Sequence, residues 1–317
     1  MATMLKYVYY SLGLLLLGTG LFVFSHQGSQ ADDLHAKLHN ASYRVIKNHN
    51  FGRGEYIEYL LHYGVINAGI ARINVDNKLW LVNDRICYKV DVAGETTGAL
   101  KLYRVEDLWR SYIDTAAIAP HRFYRYIAEN KYRREERIDF NPLQNKAKLS
   151  FEQFTVQDKE KKKSTTAETE KLEKTSEIKD VVFPANFRDP QTGHYYPQDI
   201  VSGYYYLRTI DYDKQIGVGN KITIPAIFED QTYNFSIRYD GREVVDTKFG
   251  KVNAFKFTPM MGEFENDIFT GDGSLVFWVS DDANRIPVKV EAKIFLGKVV
   301  LEITNHRNLK APFNFAK

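Results

Sequence analysis

From Phe51 onward, apolar and polar residues take turns along much of the chain. The clearest run has Val288, Val290, Ala292, Ile294 and Leu296 on one side and Lys289, Glu291 and Lys293 on the other. Alternation with period two puts one side chain set against a core and the other in water, as in an antiparallel sheet. Gly297-Lys298 then predicts a turn, and Val299, Leu301 and Ile303 predict the returning strand. An apolar outer face, which a membrane barrel needs, is absent from these positions.

The same pattern predicts strands at Tyr56–Tyr63, Ala68–Val75, Leu79–Val82 and Ile86–Val92, with a turn at Asp76-Asn77-Lys78. Further strands are expected at Leu108–Ile113, His121–Ile127 and Tyr132–Phe140. In the second half, Ile222–Phe228 and Tyr233–Tyr239 alternate, and Asp240-Gly241 predicts a hairpin turn. Glu243–Thr247, Val252–Thr258 and Leu275–Val279 extend this meander. Helical spacing appears once in the second half: Ile200, Tyr204 and Leu207 fall at i, i+4 and i+7 behind Asp199, a residue suited to cap the first turn. The expected class is mainly β: a large curved antiparallel sheet or open half-barrel with one or two short helices. Whether the halves 51–156 and 181–317 form one sheet or two is open at this level.

The N-terminus departs from this pattern. Tyr7–Phe24 is an apolar run of 18 residues behind Lys6, followed by the polar segment Ser25–Ala31. This reads as a signal peptide over residues 1–31, cleaved after Ala31. An uncleaved anchor is the alternative, since the run is at the short end of what spans a bilayer. Residues 32–50 read as an N-terminal leader, either loose or a short helix, with Leu34, Leu38, Ala41 and Val45 near helical spacing. Residues 51–317 are then one β-rich domain, with a disordered charged insertion at 157–180 that holds seven Lys and seven acidic residues. So few apolar side chains there do not offset the entropy of ordering.

Composition adds two points. The 317 residues carry 43 Lys+Arg against 40 Asp+Glu, a balance that does not suit a binder of nucleic acid. The 21 Tyr and 20 Phe agree with half-buried strands and fill either a core or the lining of an apolar hollow.

Signatures of chemistry are mostly missing. The chain lacks a G-x-S-x-G elbow, a phosphate-binding glycine loop, H-E-x-x-H and C-x-x-C, so no cofactor is indicated. Gly217-Val218-Gly219 lacks a third glycine and reads as a loop. Cys87, the one cysteine, excludes an internal disulfide, and alternation in its strand makes it a partly exposed small residue rather than a nucleophile. His35 and His39 are four apart without a third ligand nearby, and His62, His121, His194 and His306 are scattered. Asp281-Asp282-Ala283-Asn284 is rich in oxygen, with Asp267 and Asp272 upstream. It lacks a calcium-loop pattern and reads as a tight turn. Asp211 and Asp213 also sit beside turn signals, and Asn40 and Asn234 are formal glycosylation acceptors. Site residues are therefore unassigned: catalytic none, metal none, cofactor none.

An ordered set of segments does resemble a known family. Gly54-Glu55, Tyr63-Gly64 and Ala68-Gly69 are followed by Ser111-Tyr112-Ile113-Asp114 and Pro120-His121-Arg122-Phe123. Gln198-Asp199, Tyr205-Tyr206-Leu207-Arg208 and Trp278–Val288 complete the set. Together they resemble the bacterial domain of unknown function 3108 family over about residues 51–305. The resemblance implies an exported bacterial protein in the periplasm or cell envelope of a Gram-negative organism, and it brings no catalytic residues. A weaker likeness in cadence, Trp278 to Ile303, is to half-barrel periplasmic lipoprotein carriers. It implies an open sheet with an apolar hollow.

The functional expectation is an exported envelope protein, a non-enzymatic binding or structural β domain whose candidate ligand is a lipid, another apolar molecule or an envelope component. The alternative is a hydrolase acting on envelope glycan or lipid through paired carboxylates. Membrane contact is expected only through residues 7–24, if the signal stays uncleaved.

Overall fold

A computed structural model describes residues 43–98, 104–156, 171–184, 188–212, 216–228, 230–260, 273–293 and 297–317. The first half is a meander of β1 (Tyr56–Tyr63), β2 (Ile66–Val82), β3 (Arg85–Thr96), β4 (Glu106–Asp114), β5 (Pro120–Glu129), β6 (Tyr132–Asn141), β7 (Lys146–Val156) and β8 (Lys171–Val182). Helix α1 (Ile200–Arg208) follows. The second meander is β9 (Lys221–Phe228), β10 (Gln231–Thr247), β11 (Gly250–Met260), β12 (Leu275–Ser280), β13 (Pro287–Lys293) and β14 (Lys298–Arg307).

All these strands lie in one antiparallel sheet, in the order β8-β7-β6-β5-β4-β3-β2-β1-β14-β13-β12-β11-β10-β9. The two halves are thus one sheet, joined where β1 pairs with β14. One apolar cluster runs through both halves, from Ile57 and Phe123 to Phe257 and Ile303. The ladder is not closed: β8 and β9 are its edges. Near these edges, Lys179 Nζ of β8 lies 2.8 Å from Asp230 Oδ2, and the guanidinium of Arg125 on β5 stands 5.0 Å over the Phe228 ring of β9. Gln198 covers part of the β9 edge through a parallel bridge to Ala226. Pro225 fits here because an edge strand tolerates a missing N–H.

The C-terminal alternation is as expected. Val288, Val290 and Ala292 are buried and Lys289, Glu291 and Lys293 turn outward, while Ile294 and Leu296 lie outside the described residues.

Three local expectations differ. Asp76-Asn77-Lys78 is no hairpin turn: β2 runs through it, with its register to β3 interrupted between Val75 and Leu79. Asp240-Gly241 is likewise a bulge inside β10, with Gly241 at φ +102° and the register to β11 shifted between Tyr239 and Gly241. Turn residues and bulge residues need the same local conformations, so one signal fits both. The charged insertion is ordered over its second part, because Lys171–Val182 forms edge strand β8 against β7. Backbone pairing holds that strand, and its charged side chains suit an exposed edge. Residues 157–170, the signal segment 1–31 and the leader up to 42 lie outside the described residues. Residues 43–50 form neither helix nor strand, which fits the loose leader.

Candidate functional site

Helix α1 lies against the sheet interior and contacts β4 and β9. Its placement follows from local chemistry. Asp199 is the N-cap: its Oδ1 accepts from the N–H groups of Val201 (2.8 Å) and Ser202 (2.9 Å), and the Ser202 side chain completes a capping box. The other oxygen, Oδ2, accepts from Ser111 Oγ on β4 at 2.6 Å. Burial pushes the Asp199 carboxyl up to about 6 against these bonds. Tyr204, Tyr205 and Leu207 are buried among core residues, so aromatic side chains fill this part of the concave face.

The end of α1 is held by a buried ion pair. Arg208 Nη1 donates to Glu55 Oε1 at 2.5 Å and Nη2 to Oε2 at 2.7 Å. Two further donors reach the carbonyls of Asn284 and Asn50, and Tyr205 donates its hydroxyl to Glu55. A guanidinium with its donors matched in this way offsets the high cost of burying a charge.

A second buried cluster sits where β3 and β5 begin and β4 ends. Asp114 Oδ2 accepts from Arg85 Nε at 2.6 Å and lies 3.2 Å from His121 Nε2. Its Oδ1 accepts from the backbone of Ala116 and Ala117. Burial opposes ionisation of Asp114, but the bonds from His121, Arg85 and the backbone hold its carboxyl well below the usual range. The Arg85 guanidinium stacks 4.5 Å from the Tyr43 ring. Cys87 is fully buried here, not partly exposed, because Tyr43 and the Arg85–Asp114 pair cover its side of the sheet. Burial pushes its thiol up to about 12, the opposite of what a nucleophile needs.

Beside this cluster opens a cleft of about 630 Å³ lined by Tyr43, Asn83, Asp84, Asp139, Asn141 and Lys148, among others. Its walls carry both signs of charge. The acids with the clearest mutual influence lie elsewhere. Asp107 on β4 is buried and pushed up to about 7, by desolvation first, with the Ala128 N–H opposing and the charge of Glu129 adding. Glu129 is buried as well, so this pair does not face a solvent-open cleft.

Other candidates are placed as follows. Asp282 Oδ1 accepts from Ser280 Oγ and the Asn284 N–H, so Asp281–Asn284 is the expected tight turn. Asn284 is buried and bonds Ala311 through both side-chain atoms. His62 pairs with Glu302, and His306 packs against Phe249 and Phe313. Asp211 lies 3.9 Å from Arg285, and Gly217–Gly219 is a loop. His35, His39, Asn40, Asp213, Asp267 and Asp272 lie outside the described residues. Among the described residues, no group of three or more His, Cys, Asp or Glu side chains is placed to hold a metal.

Sequence reasoning assigned no role to the Glu55–Tyr205–Arg208–Asn284 network or to the Ser111–Asp199 and Asp114–His121 pairs. These residues all belong to the segments that carry the family resemblance. The available signal was ionisable side chains, Glu55 and Arg208, set beside strongly apolar segments.

None of the curated proteins matches the chain. Among solved structures, it is similar to the crystal structure of a beta-barrel-like protein of domain of unknown function DUF1849 from Brucella abortus. That similarity has 8% identity and a TM-score of 0.41, and covers 84% of this chain and 98% of that one. A family model described as protein of unknown function (DUF3108) matches residues 58–304, and the chain belongs to that family.

Proposed function

We propose that this is an exported, non-enzymatic protein of the periplasm or cell envelope of a Gram-negative bacterium, a binding or structural β domain that acts through its outer surface. The carrying observation is helix α1. Capped by Asp199 and clamped by Arg208 to Glu55, it packs Tyr204, Tyr205 and Leu207 where a half-barrel carrier would need room for an apolar ligand. The apolar run Tyr7–Phe24 with its polar exit supports export. The raised thiol of Cys87 and the burial of Asp107 with Glu129 support a role without catalysis.

The test is native mass spectrometry of the protein after mild extraction, together with N-terminal sequencing of the chain from fractionated cells. The expected result is a bare polypeptide in the envelope fraction. A stoichiometric lipid adduct overturns the filled interior, and a chain confined to the cytoplasm with its leader intact overturns export.

A further inference from the structure

Antiparallel register fixes which connections share an end of the sheet. The β2–β3 turn at Asn83-Asp84, the β6–β7 turn at Pro142–Gln144 and the end of β8 all lie at the end where residues 43–55 lead into β1. Large apolar side chains stand in solvent there: Val45, Leu79, Leu81 (72% exposed), Ile86, Leu143 and Val182 (75%). In the β2–β3 ladder Leu81 faces Ile86 and Leu79 faces Tyr88, so Leu79, Leu81 and Ile86 share one face of the hairpin. Asn83 Nδ2 donates to the Phe140 carbonyl at 3.3 Å, which holds this tip beside the turn that carries Leu143. Val182 faces Lys146 across the β7–β8 ladder, and Lys146, Leu143 and Asn83 line the same cleft. Scattered exposed apolar residues are ordinary, but a rim of them at one end marks a contact surface.

The course of the chain says what meets it. Tyr43 lies under Arg85, the residue before Ile86, so the chain arrives at this rim. Eighteen residues separate Tyr43 from the apolar run that ends at Phe24, a reach of at most about 65 Å. In the uncleaved form, that run as an anchor would keep this end within the tether's reach of the membrane. The rim's charges are mixed, with Asp84 and Asp180 beside Lys146 and Lys148, so apolar contact and not charge would drive docking.

We propose that the rim formed by Leu79, Leu81, Ile86, Leu143 and Val182 seats on the surface of a lipid bilayer. The inference rests on the export reading in its anchored form.

The test places an environment-sensitive fluorophore on Leu81→Cys or, at the opposite end, on Val65→Cys in the β1–β2 turn. Both sites are exposed, while Cys87 is buried with a raised thiol. The full chain is reconstituted in vesicles of phosphatidylethanolamine and phosphatidylglycerol. The expected result is a shift to shorter wavelength at position 81, unchanged at high salt, with no shift at 65. A label on Leu143→Cys shifts too, and loses its shift when Leu81→Asp and Ile86→Asp are added. No shift at 81, equal shifts at 81 and 65, or a Leu143 label indifferent to the double change overturns the proposal. So does a shift at 81 that grows with protein concentration without lipid, which points to a second copy. Mass spectrometry of the chain recovered from cells separates the failures. An intact leader with no shift overturns docking alone, and a chain beginning at Asp32 overturns the anchored reading beneath it.

Discussion

Arg208, at the end of α1, grips Glu55, just before β1, with two terminal nitrogens, so residues 153 positions apart form one buried contact. Breaking such a pair from one side leaves an uncompensated buried charge, at a cost of about 3–5 kcal/mol. Glu55→Gln and Arg208→Met are each expected to lower unfolding stability in urea by that order. In a double-mutant cycle the combined variant should lose less than the sum of the two. Additive losses would mean that the pair is not coupled.

Asp107 is expected to make the protein more stable as pH falls. Its folded-state carboxyl is raised to about 7, above the ordinary carboxylate value, so the folded form binds the proton more tightly. Stability then declines as pH rises between about 4 and 7. Asp107→Asn keeps an acceptor for the Ala128 N–H and removes the titration. Urea midpoints across that window should show a flatter profile in the variant and a higher midpoint at pH 8. Asp114 acts with the opposite sign, since its lowered carboxyl contributes stability that is lost on acidification. The difference between wild type and Asp107→Asn therefore isolates Asp107.

Ser111→Ala removes the hydroxyl that β4 offers to the Asp199 cap. The loss expected is about 1–3 kcal/mol, for a hydrogen bond to a charged group. The Asp199 carboxyl, already raised to about 6, should move higher. Carbon-13 NMR titration of that carboxyl reads the shift, and an unmoved midpoint would show that the bond does not stabilise the carboxylate.

Gly241→Ala tests the bulge in β10. A Cβ there meets only Val218 at ordinary contact distance, so the expected cost, about 1 kcal/mol or more, comes from the backbone at φ +102°. Thermal melting checks this, and an unchanged midpoint would mean that the left-handed conformation is not needed.

Most strands were legible because their side chains alternate, as Val288, Val290 and Ala292 do. Edge strand β8 was not, because both of its sides are polar and only the backbone reveals its pairing. Asp76–Lys78 and Asp240-Gly241 misled for the reason given above: a bulge and a turn use the same residues. Of the buried networks, the Asp199 cap was readable from its spacing to Ile200 and Tyr204. The Glu55–Arg208 clamp, 153 positions apart, was not, since nothing local marks which distant charge will meet which. Only the pairing of β1 with β14 and the inward course of α1 bring them together.

The meeting of β1 with β14 also sets an order of events. A chain emerging N-terminus first presents β1 with one flank open, and that flank stays unzipped until nearly the whole polypeptide has arrived. Closure over so long a separation is slow, and the waiting edge invites wrong partners. A truncation that removes only β14 would therefore cleave the sheet down its middle, leaving two orphaned ribbons rather than a slightly shorter protein.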